Sequence, residues 1–394
     1  MTSWVHGDST MKMARNLFLF LIIFAFSLLP GCSGSGDDLQ ALNIESKSPG
    51  PRQVENATFN LFDTSRPTSP NADYPGDPSG RSIITEVWYP KPEAGKPNGP
   101  YPLIIFAHGF MAFRTQSTRL TKHLASHGYF VVSPDFPLSG MAGYTYNRGG
   151  PAIGDVVNQP RDISFLIDTF LGFSNTAGNQ FEGMIDPENI GITGHSLGGL
   201  TTILSSLGMK ADPRIKAAIP LSPIACFLEP EYYNFGQNVP IMIMTGTKDL
   251  ITPFDSNATL TYENLKPPRY LVGIKGGTHV GFIDFDVPER EALNAFTGMV
   301  GMGKLVGGLA SSMMDLKASL TGCLSMFAMI DPDYGLDNGE ILDPNRQREI
   351  NCIYETAFFG YYLKGESHWL PILTKEYADS IPDVEFTKDM LPAE

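Results

Sequence analysis

The sequence predicts an α/β fold in which a mostly parallel central sheet carries helices on both faces. Short apolar runs alternate with segments of helical spacing from Ala57 onward, and strands separated in this way form parallel sheets. A glycine-rich turn also joins one apolar run directly to a helical segment. No internal repeat or linker interrupts residues 57–370, so a single domain is expected over residues 56–394.

The individual elements follow from the apolar patterns. Most of the strands read as near-continuous apolar runs, which is typical of strands buried on both faces. The predicted strands lie at residues 82–88, 102–107, 129–132, 189–193, 215–221, 240–244 and 269–274. Helices with an apolar face are predicted at residues 116–127, 161–171 and 200–207.

The composition excludes several classes of protein. The chain carries 42 acidic and 28 basic side chains, which gives a formal net charge of -14. Because phosphate binding requires a basic surface, no nucleic-acid partner is expected. A hydrophobic content of 42% is that of a packed globular protein, and four cysteines are too few for a disulfide scaffold.

The first 32 residues have the features of an export signal. Lys12 and Arg15 precede an apolar run at 17–29, which is long enough for a signal core and short for a membrane span. The run ends in Leu-Pro-Gly-Cys, which resembles the lipobox of bacterial lipoproteins. We therefore expect a signal peptide over 1–31 and a lipid anchor on Cys32 that holds the protein at the cell envelope. The alternative is an ordinary secretory signal and a secreted or periplasmic protein.

Export leads to two further expectations. Residues 32–55 begin with a stretch rich in Ser, Gly and Asp, which predicts a flexible tether. An oxidising compartment permits disulfide bonds. Among Cys226, Cys323 and Cys352, the last two flank one segment and are the favoured pair.

A nucleophile motif lies between the strand predicted at 189–193 and the following helix. Residues 194–199 read Gly-His-Ser-Leu-Gly-Gly, which is the Gly-x-Ser-x-Gly elbow in its required strand–turn–helix context. The tight turn holds Ser196 at a strained backbone angle, and neighbouring chains come so close that only glycine fits at Gly194 and Gly198. The sequence therefore predicts Ser196 as a catalytic nucleophile.

A serine nucleophile needs a base, and the best candidate is His279. It follows the last predicted strand, and enzymes with this elbow place the nucleophile, the acid and the histidine in that order along the chain. The other histidines lie in the leader, in a turn, on a helix, beside the serine or near the C-terminus: His6, His108, His123, His127, His195 and His368.

The acid that orients the histidine is expected at the carboxyl end of the preceding strand. Asp249 follows the strand predicted at 240–244 and could accept the Nδ1 proton of His279. Asp135, which follows the strand at 129–132, is the rival. Asp255 is better placed to cap the next helix.

An oxyanion hole requires two backbone N–H groups. Leu197, directly after the nucleophile, supplies one of them. The second comes from the turn after the strand at 102–107, where Phe110 is the first candidate and Met111 the alternative. His108 is interpreted as a structural residue of this turn.

These motifs resemble a known family. His-Gly-Phe-Met-Ala-Phe-Arg at 108–114, Leu-Ala-Ser-His-Gly-Tyr at 124–129, Glu-Val-Trp-Tyr-Pro at 86–90 and the elbow are similar to the platelet-activating-factor acetylhydrolase and dienelactone-hydrolase-like branch of the α/β-hydrolase superfamily. Cutinase-like polyester hydrolases are more distantly similar. The resemblance implies a calcium-independent serine esterase for short acyl groups. It places the triad at Ser196, Asp249 and His279 and the oxyanion hole at Phe110 and Leu197.

The sequence departs from the family after the base. About seventy residues, rich in Gly and Met, separate His279 from a helix near 350–363. We expect an inserted segment at about 286–348, which could cover the site as a lid through the apolar stretch 300–309 or form a helical hairpin on the core.

The sequence thus predicts a serine carboxylic ester hydrolase for short- or medium-acyl esters or lipids that needs no cofactor and no metal ion. Its partners are expected to be a small-molecule ester or lipid and, through Cys32, a membrane. A peptidase on the same fold, a cutinase-like polyester hydrolase and a non-catalytic binding protein are the alternatives.

Overall fold

The computed structural model describes residues 36–94, 98–208, 210–226, 228, 232–233, 239–300 and 340–390. The expected signal peptide, the Cys32 anchor, Cys323 and residues 301–309 of the expected lid lie outside these ranges. The chain divides into two units, Met1–Leu39 and Gln40–Glu394. The first unit is described only at 36–39, in a helix that begins at Gly36. The second contains all the described strands.

The described strands form one nine-stranded sheet in the order β1-β2-β4-β3-β5-β6-β7-β8-β9. They are β1 (Val54–Asp63), β2 (Arg81–Pro90), β3 (Tyr101–Ala107), β4 (Phe130–Pro134), β5 (Ile185–His195), β6 (Ile215–Leu221), β7 (Ile241–Gly246), β8 (Arg269–Ile274) and β9 (Val384–Asp389). Strands β4, β3, β5, β6, β7 and β8 pair in parallel, whereas β1, β2 and β9 join antiparallel at the two sides. The predicted mostly parallel sheet is confirmed.

Helices cover both faces of the sheet, as β5 illustrates. Ile190 and Ile192 belong to the same core cluster as the apolar side chains of helix Gln159–Ser174. A Cβ on Gly191, between them, would instead meet Phe359 of helix Pro344–Lys364. The described helices are Gly36–Lys47, Thr118–Ser126, Ala142–Thr145, Gln159–Ser174, Leu197–Ser206, Leu260–Asn264, Glu289–Val300, Pro344–Lys364 and Lys375–Asp379.

The predicted flexible tether at 32–55 is wrong for much of its length. Residues Gly36–Lys47 form a helix, and β1 begins at Val54. The segment between them is hydrogen-bonded to the body of the protein: the N–H of Gly50 donates to the Ser126 hydroxyl at 2.7 Å. The content of Ser, Gly and Asp could not show these contacts, because such residues occur both in flexible segments and in segments that are hydrogen-bonded to the rest of a protein.

The two outermost strands were also missed. Side chains along β1 alternate between exposed and half-buried positions, which is the pattern of a strand with one solvated face. Strand β9 pairs with β8 over all six of its residues. Both strands are antiparallel additions at the edges, so the apolar runs that marked the buried strands are absent from them.

The favoured Cys323–Cys352 disulfide is wrong. Cys352 is a free thiol, 3% exposed, on helix Pro344–Lys364. Burial raises the pKa of this thiol to about 12. Cys226 is the residue that takes part in a disulfide bond. Position along the chain could not show that Cys352 points into the core.

No helix in the described part of the chain combines the length and the apolar character needed to cross a membrane.

Candidate active site

Ser196 stands at the turn between β5 and helix Leu197–Ser206. Its backbone angles are φ 58 and ψ -116, a conformation that is strained for a residue with a Cβ. A Cβ on Gly194 would lie 2.5 Å from the carbonyl oxygen of Gly198, and one on Gly198 would overlap the Ala107 carbonyl. The structure thus forms the predicted elbow, and both glycines are required by the close approach of backbone.

Asp249 and His279 meet at the carboxyl ends of β7 and β8. The Nδ1 atom of His279 lies 2.8 Å from Oδ2 of Asp249. The other carboxylate oxygen accepts hydrogen bonds from the N–H groups of Ile251 and Thr252 at 2.9 and 2.6 Å. The Thr252 hydroxyl donates to Oδ2 at 2.7 Å. These bonds fix the carboxylate so that it can receive the Nδ1 proton of His279.

The electrostatic environment favours a protonated imidazole on His279. Burial lowers the pKa of His279, but the Asp249 carboxylate, its hydrogen bond and the nearby Glu289 outweigh burial and leave the pKa raised. His279 is 4% exposed and Asp249 4% exposed, so solvent screens this attraction little. A histidine so placed can hold a proton transiently during a reaction.

The rival acid is engaged elsewhere. Asp135 accepts from the N–H and from the guanidinium of Arg114, each at 2.6 Å. Asp255 lies in the first turn of a short helical segment, where Phe254 holds the N-cap position. Between the two candidates weighed for orienting His279, the geometry therefore favours Asp249.

The turn after β3 contains Phe110 and Met111, the two candidates for the second oxyanion donor. The N–H of Gly109 donates to Oε1 of Gln116 at 2.9 Å, and that of Met111 donates to the Ser139 carbonyl at 2.9 Å. Because the N–H of Met111 is committed to this carbonyl, the geometry disfavours Met111, the alternative donor. On the other side of the serine, Leu197 is the first residue of its helix.

His108 holds this turn in place. Its Nδ1 lies 2.7 Å from the Gly109 carbonyl, and its Nε2 accepts from the N–H of Phe136 at 3.1 Å. Burial lowers the pKa of His108, so the ring is neutral. These contacts match the structural interpretation given to His108.

Two residues near the site were not recognised from the sequence as a pair. Nε2 of Gln116 lies 3.1 Å from Nδ1 of His195, and Nε2 of His195 lies 2.9 Å from the His279 carbonyl. His195 thus connects Gln116 to the backbone of His279. Burial holds the pKa of His195 well below its usual value, so its ring is neutral. Its position beside Ser196 was a signal; nothing in the sequence pointed to Gln116, because the contact spans 79 residues.

A cavity of about 250 Å³ opens onto Ser196 and His279. Its remaining wall is mainly apolar and aromatic, and it includes Phe110, Phe113, Ile251, Val280, Ile283, Phe285 and Ala292. Phe110 and Met111 also line a neighbouring cavity of about 560 Å³. Among the described residues, no group of three or more His, Cys, Asp or Glu side chains is placed to hold a metal ion.

The parallel sheet, the strained serine elbow and the His279–Asp249 pair at adjacent strand ends define a protein of the α/β-hydrolase fold. The family model described as PET hydrolase-like matches residues 76–284, which is more than half of the chain. The chain belongs to this family.

Several curated proteins are similar to the chain. It is 25% identical over 255 residues to a platelet-activating factor acetylhydrolase of Cavia porcellus, and the aligned region covers 56% of each chain. It is 24% identical over 204 residues to a bis(hydroxyethyl) terephthalate hydrolase of Streptomyces coelicolor, covering 49% of this chain and 54% of the relative. It is 22% identical over 200 residues to Cutinase 2 of Thermobifida cellulosilytica, covering 49% and 64%. The chain spans less than two thirds of the length of each.

Proposed function

We propose that the protein is a serine carboxylic ester hydrolase that works through Ser196, His279 and Asp249. The observation that carries this proposal is the 2.8 Å contact between His279 and Asp249 beside a serine held at a φ of 58. The serine and the histidine line the same cavity. The names of the relatives, which are ester hydrolases, support the same reaction class.

The proposed mechanism uses these groups in order. His279 removes the hydroxyl proton of Ser196, which attacks the ester carbonyl. The N–H groups of Leu197 and Phe110 stabilise the tetrahedral oxyanion. Asp249 stabilises the imidazolium, which then protonates the departing alcohol. Water, activated by His279, finally releases the acid and regenerates the serine.

The test is the Ser196→Ala variant. It should lose hydrolysis of p-nitrophenyl esters and labelling by a fluorophosphonate probe, whereas Ser367→Ala, at an exposed position, should keep both. Labelling that persists in Ser196→Ala would refute the proposal. A comparison of matched ester and amide substrates separates an esterase from a peptidase, and a wild-type protein that the probe does not label would be a binding protein.

The cavity supports short- or medium-acyl substrates. A volume of about 250 Å³ lies just below the usual range of ligand cavities, and the apolar wall of this cavity suits an acyl chain. Lipids with a short acyl group are substrates of the same chemistry. A panel of p-nitrophenyl esters should give the highest kcat/KM at acetate to hexanoate and a decline by palmitate; a maximum at palmitate would contradict this substrate class.

Aromatic diesters are a second candidate substrate class. The rings of Phe113 and Phe285 meet at a centroid distance of 5.6 Å and an angle of 66° in the cavity wall. An aromatic acyl group could pack against them edge to face. The relative named for bis(hydroxyethyl) terephthalate supports this candidate. Release of mono(hydroxyethyl) terephthalate and ethylene glycol from that diester, measured beside p-nitrophenyl butyrate, tests it.

We also propose that the protein is exported and anchored through Cys32. The support is the basic and apolar leader that ends at Gly31-Cys32, and the disulfide bond of Cys226, which an oxidising compartment allows. Radiolabelled palmitate should enter the wild-type protein and not Cys32→Ser. Equal labelling of both would exclude the anchor, and release of the wild type into the medium would favour a secreted protein.

A further inference from the structure

We propose that Glu289 is a positioning residue whose carboxylate ties the loop of Asp249 to the loop of His279. The proposal rests on the function proposed above. Glu289 is the first residue of helix Glu289–Val300, which begins ten residues after the base. It therefore belongs to the segment at about 286–348, which the sequence predicts to be an insertion after His279.

Three backbone donors converge on this carboxylate. Its Oε1 atom accepts from the N–H of Leu250 at 3.0 Å and from the N–H of His279 at 3.1 Å. Its Oε2 atom accepts from the N–H of Val280 at 3.2 Å. Leu250 directly follows Asp249, so a single side chain bonds the backbone next to the acid and the backbone of the base.

The donors explain why a carboxylate suits this position. His279 and Val280 stand at the start of the short helical turn Val280–Phe282, where N–H groups lack intrahelical acceptors. A buried N–H without an acceptor is destabilising, and an ionised acceptor makes a stronger hydrogen bond than a neutral one. Only a group with two acceptor oxygens can accept all three of these hydrogen bonds at once.

Glu289 also acts on the charge of the base. Three titratable groups surround His279. Asp249 contacts its imidazole, Glu289 is hydrogen-bonded to its backbone N–H, and the ring centroid of His195 lies 4.6 Å from that of His279. Asp249 and Glu289 raise the pKa of His279 against the effect of burial. Burial and Asp249 in turn raise the pKa of Glu289, while His279 opposes them.

The negative charge of Glu289 determines the direction of the expected pH effect. The base works when His279 is neutral, so kcat/KM falls as the pH drops through the His279 pKa. Replacing Glu289 by Gln removes a negative charge beside the imidazole and lowers that pKa. The acidic limb of the profile should therefore move to lower pH, by about half a unit.

The experiment compares Glu289→Gln with Glu291→Gln, an equal change of charge at an exposed position of the same helix. Glu289→Gln should show the shifted limb and a kcat reduced about 10-fold, because the amide can accept only two of the three hydrogen bonds. Glu291→Gln should match the wild type in both. A Glu289→Gln profile that superimposes on that of Glu291→Gln overturns the proposal.

A second variant guards against loss of folding. Glu289→Asp keeps the charge but shortens the side chain, so it cannot reach both loops. Its kcat should fall about 10-fold while the acidic limb stays near the wild-type position. A wild-type kcat in this variant also overturns the proposal. Failure of the esterase proposal is distinguishable, because then the wild-type protein itself would neither hydrolyse esters nor react with the fluorophosphonate.

Discussion

The Nε2 amide of Gln116 lies 3.1 Å from Nδ1 of His195, and through this contact the turn after β3 is connected to His279. Oε1 of Gln116 accepts from Gly109, and His195 donates onward to the carbonyl of His279. Burial and the neighbouring His279 hold the pKa of His195 well below its usual value. A neutral His195 can therefore accept from Gln116 on one nitrogen and donate to His279 from the other.

We expect Gln116→Ala to lower kcat about 10- to 100-fold with a smaller change in KM. The N–H of Gly109 and Nδ1 of His195 would lose their partner, and the turn that presents Phe110 would be less well fixed. Gln53→Ala, at an exposed position, is the matched control. Steady-state kinetics on a p-nitrophenyl ester measures both; a Gln116→Ala enzyme with wild-type kcat would show that the contact does not position the turn.

We expect Asp249→Asn to lower kcat about 10⁴-fold. The N–H groups of Ile251 and Thr252 require an acceptor, so the Asn oxygen would face them and its NH₂ group would face His279. That arrangement favours the tautomer with the proton on Nε2, which cannot accept the proton of Ser196. The same kinetic assay measures the loss, and the thermal unfolding midpoint reports whether the variant is folded.

Asp135→Asn is the informative control for that variant, since Asp135 is the rival acid and is bonded to Arg114. Its kcat should fall less than about 10-fold, because no proton of His279 depends on it. If Asp135→Asn proved the more damaging of the two, the assignment of the acid would have to be reversed.

Glu355 should make stability depend on pH. This side chain lies on helix Pro344–Lys364 and is fully buried. The Thr193 hydroxyl donates to its Oε1 atom at 3.1 Å. Burial raises its pKa from 4.5 to about 8. Its other oxygen has no hydrogen-bond partner among the described residues. The folded protein thus keeps a proton that the unfolded chain releases, and stability falls as the pH rises from 4.5 to about 8.

Glu355→Gln removes this effect. The variant should gain stability relative to the wild type as the pH rises through that window, and the difference should level off above it at about 5 kcal/mol. Urea unfolding at pH 5, 7 and 9 measures the difference. The exposed Glu376→Gln should show no such trend. A Glu355→Gln difference that is constant with pH would mean that the carboxyl does not carry a proton in the folded state.

The sequence predicted most of the buried sheet because strands covered on both faces are apolar along their whole length. The predicted strand at 215–221 and the observed β6 (Ile215–Leu221) coincide, as do the prediction at 269–274 and β8 (Arg269–Ile274). Strands β1 and β9 were not predicted, because each lies at an edge of the sheet, where side chains are partly polar. The helix Gly36–Lys47 was not predicted because its sequence is rich in polar residues, which composition assigned to a tether.

The sequence and the fold likewise contributed different parts of the candidate site. Ser196 and His279 could be proposed from the sequence because the elbow is a local motif and because chain order leaves one histidine in place. The choice of Asp249 over Asp135 could only be made by the fold, which brings Asp249 to 2.8 Å from His279 and pairs Asp135 with Arg114.

By itself, the sequence determined the mostly parallel sheet and the elbow at Ser196, because strict local constraints on glycines and apolar runs encode them. Tertiary structure alone decided that Cys352 is a free buried thiol, that Gln116 joins His195, and that Glu289 reaches the backbone of Leu250 and His279. These contacts join residues that are 79, 39 and 10 positions apart. Their donors and acceptors are common residue types, and only folding shows which of them meet.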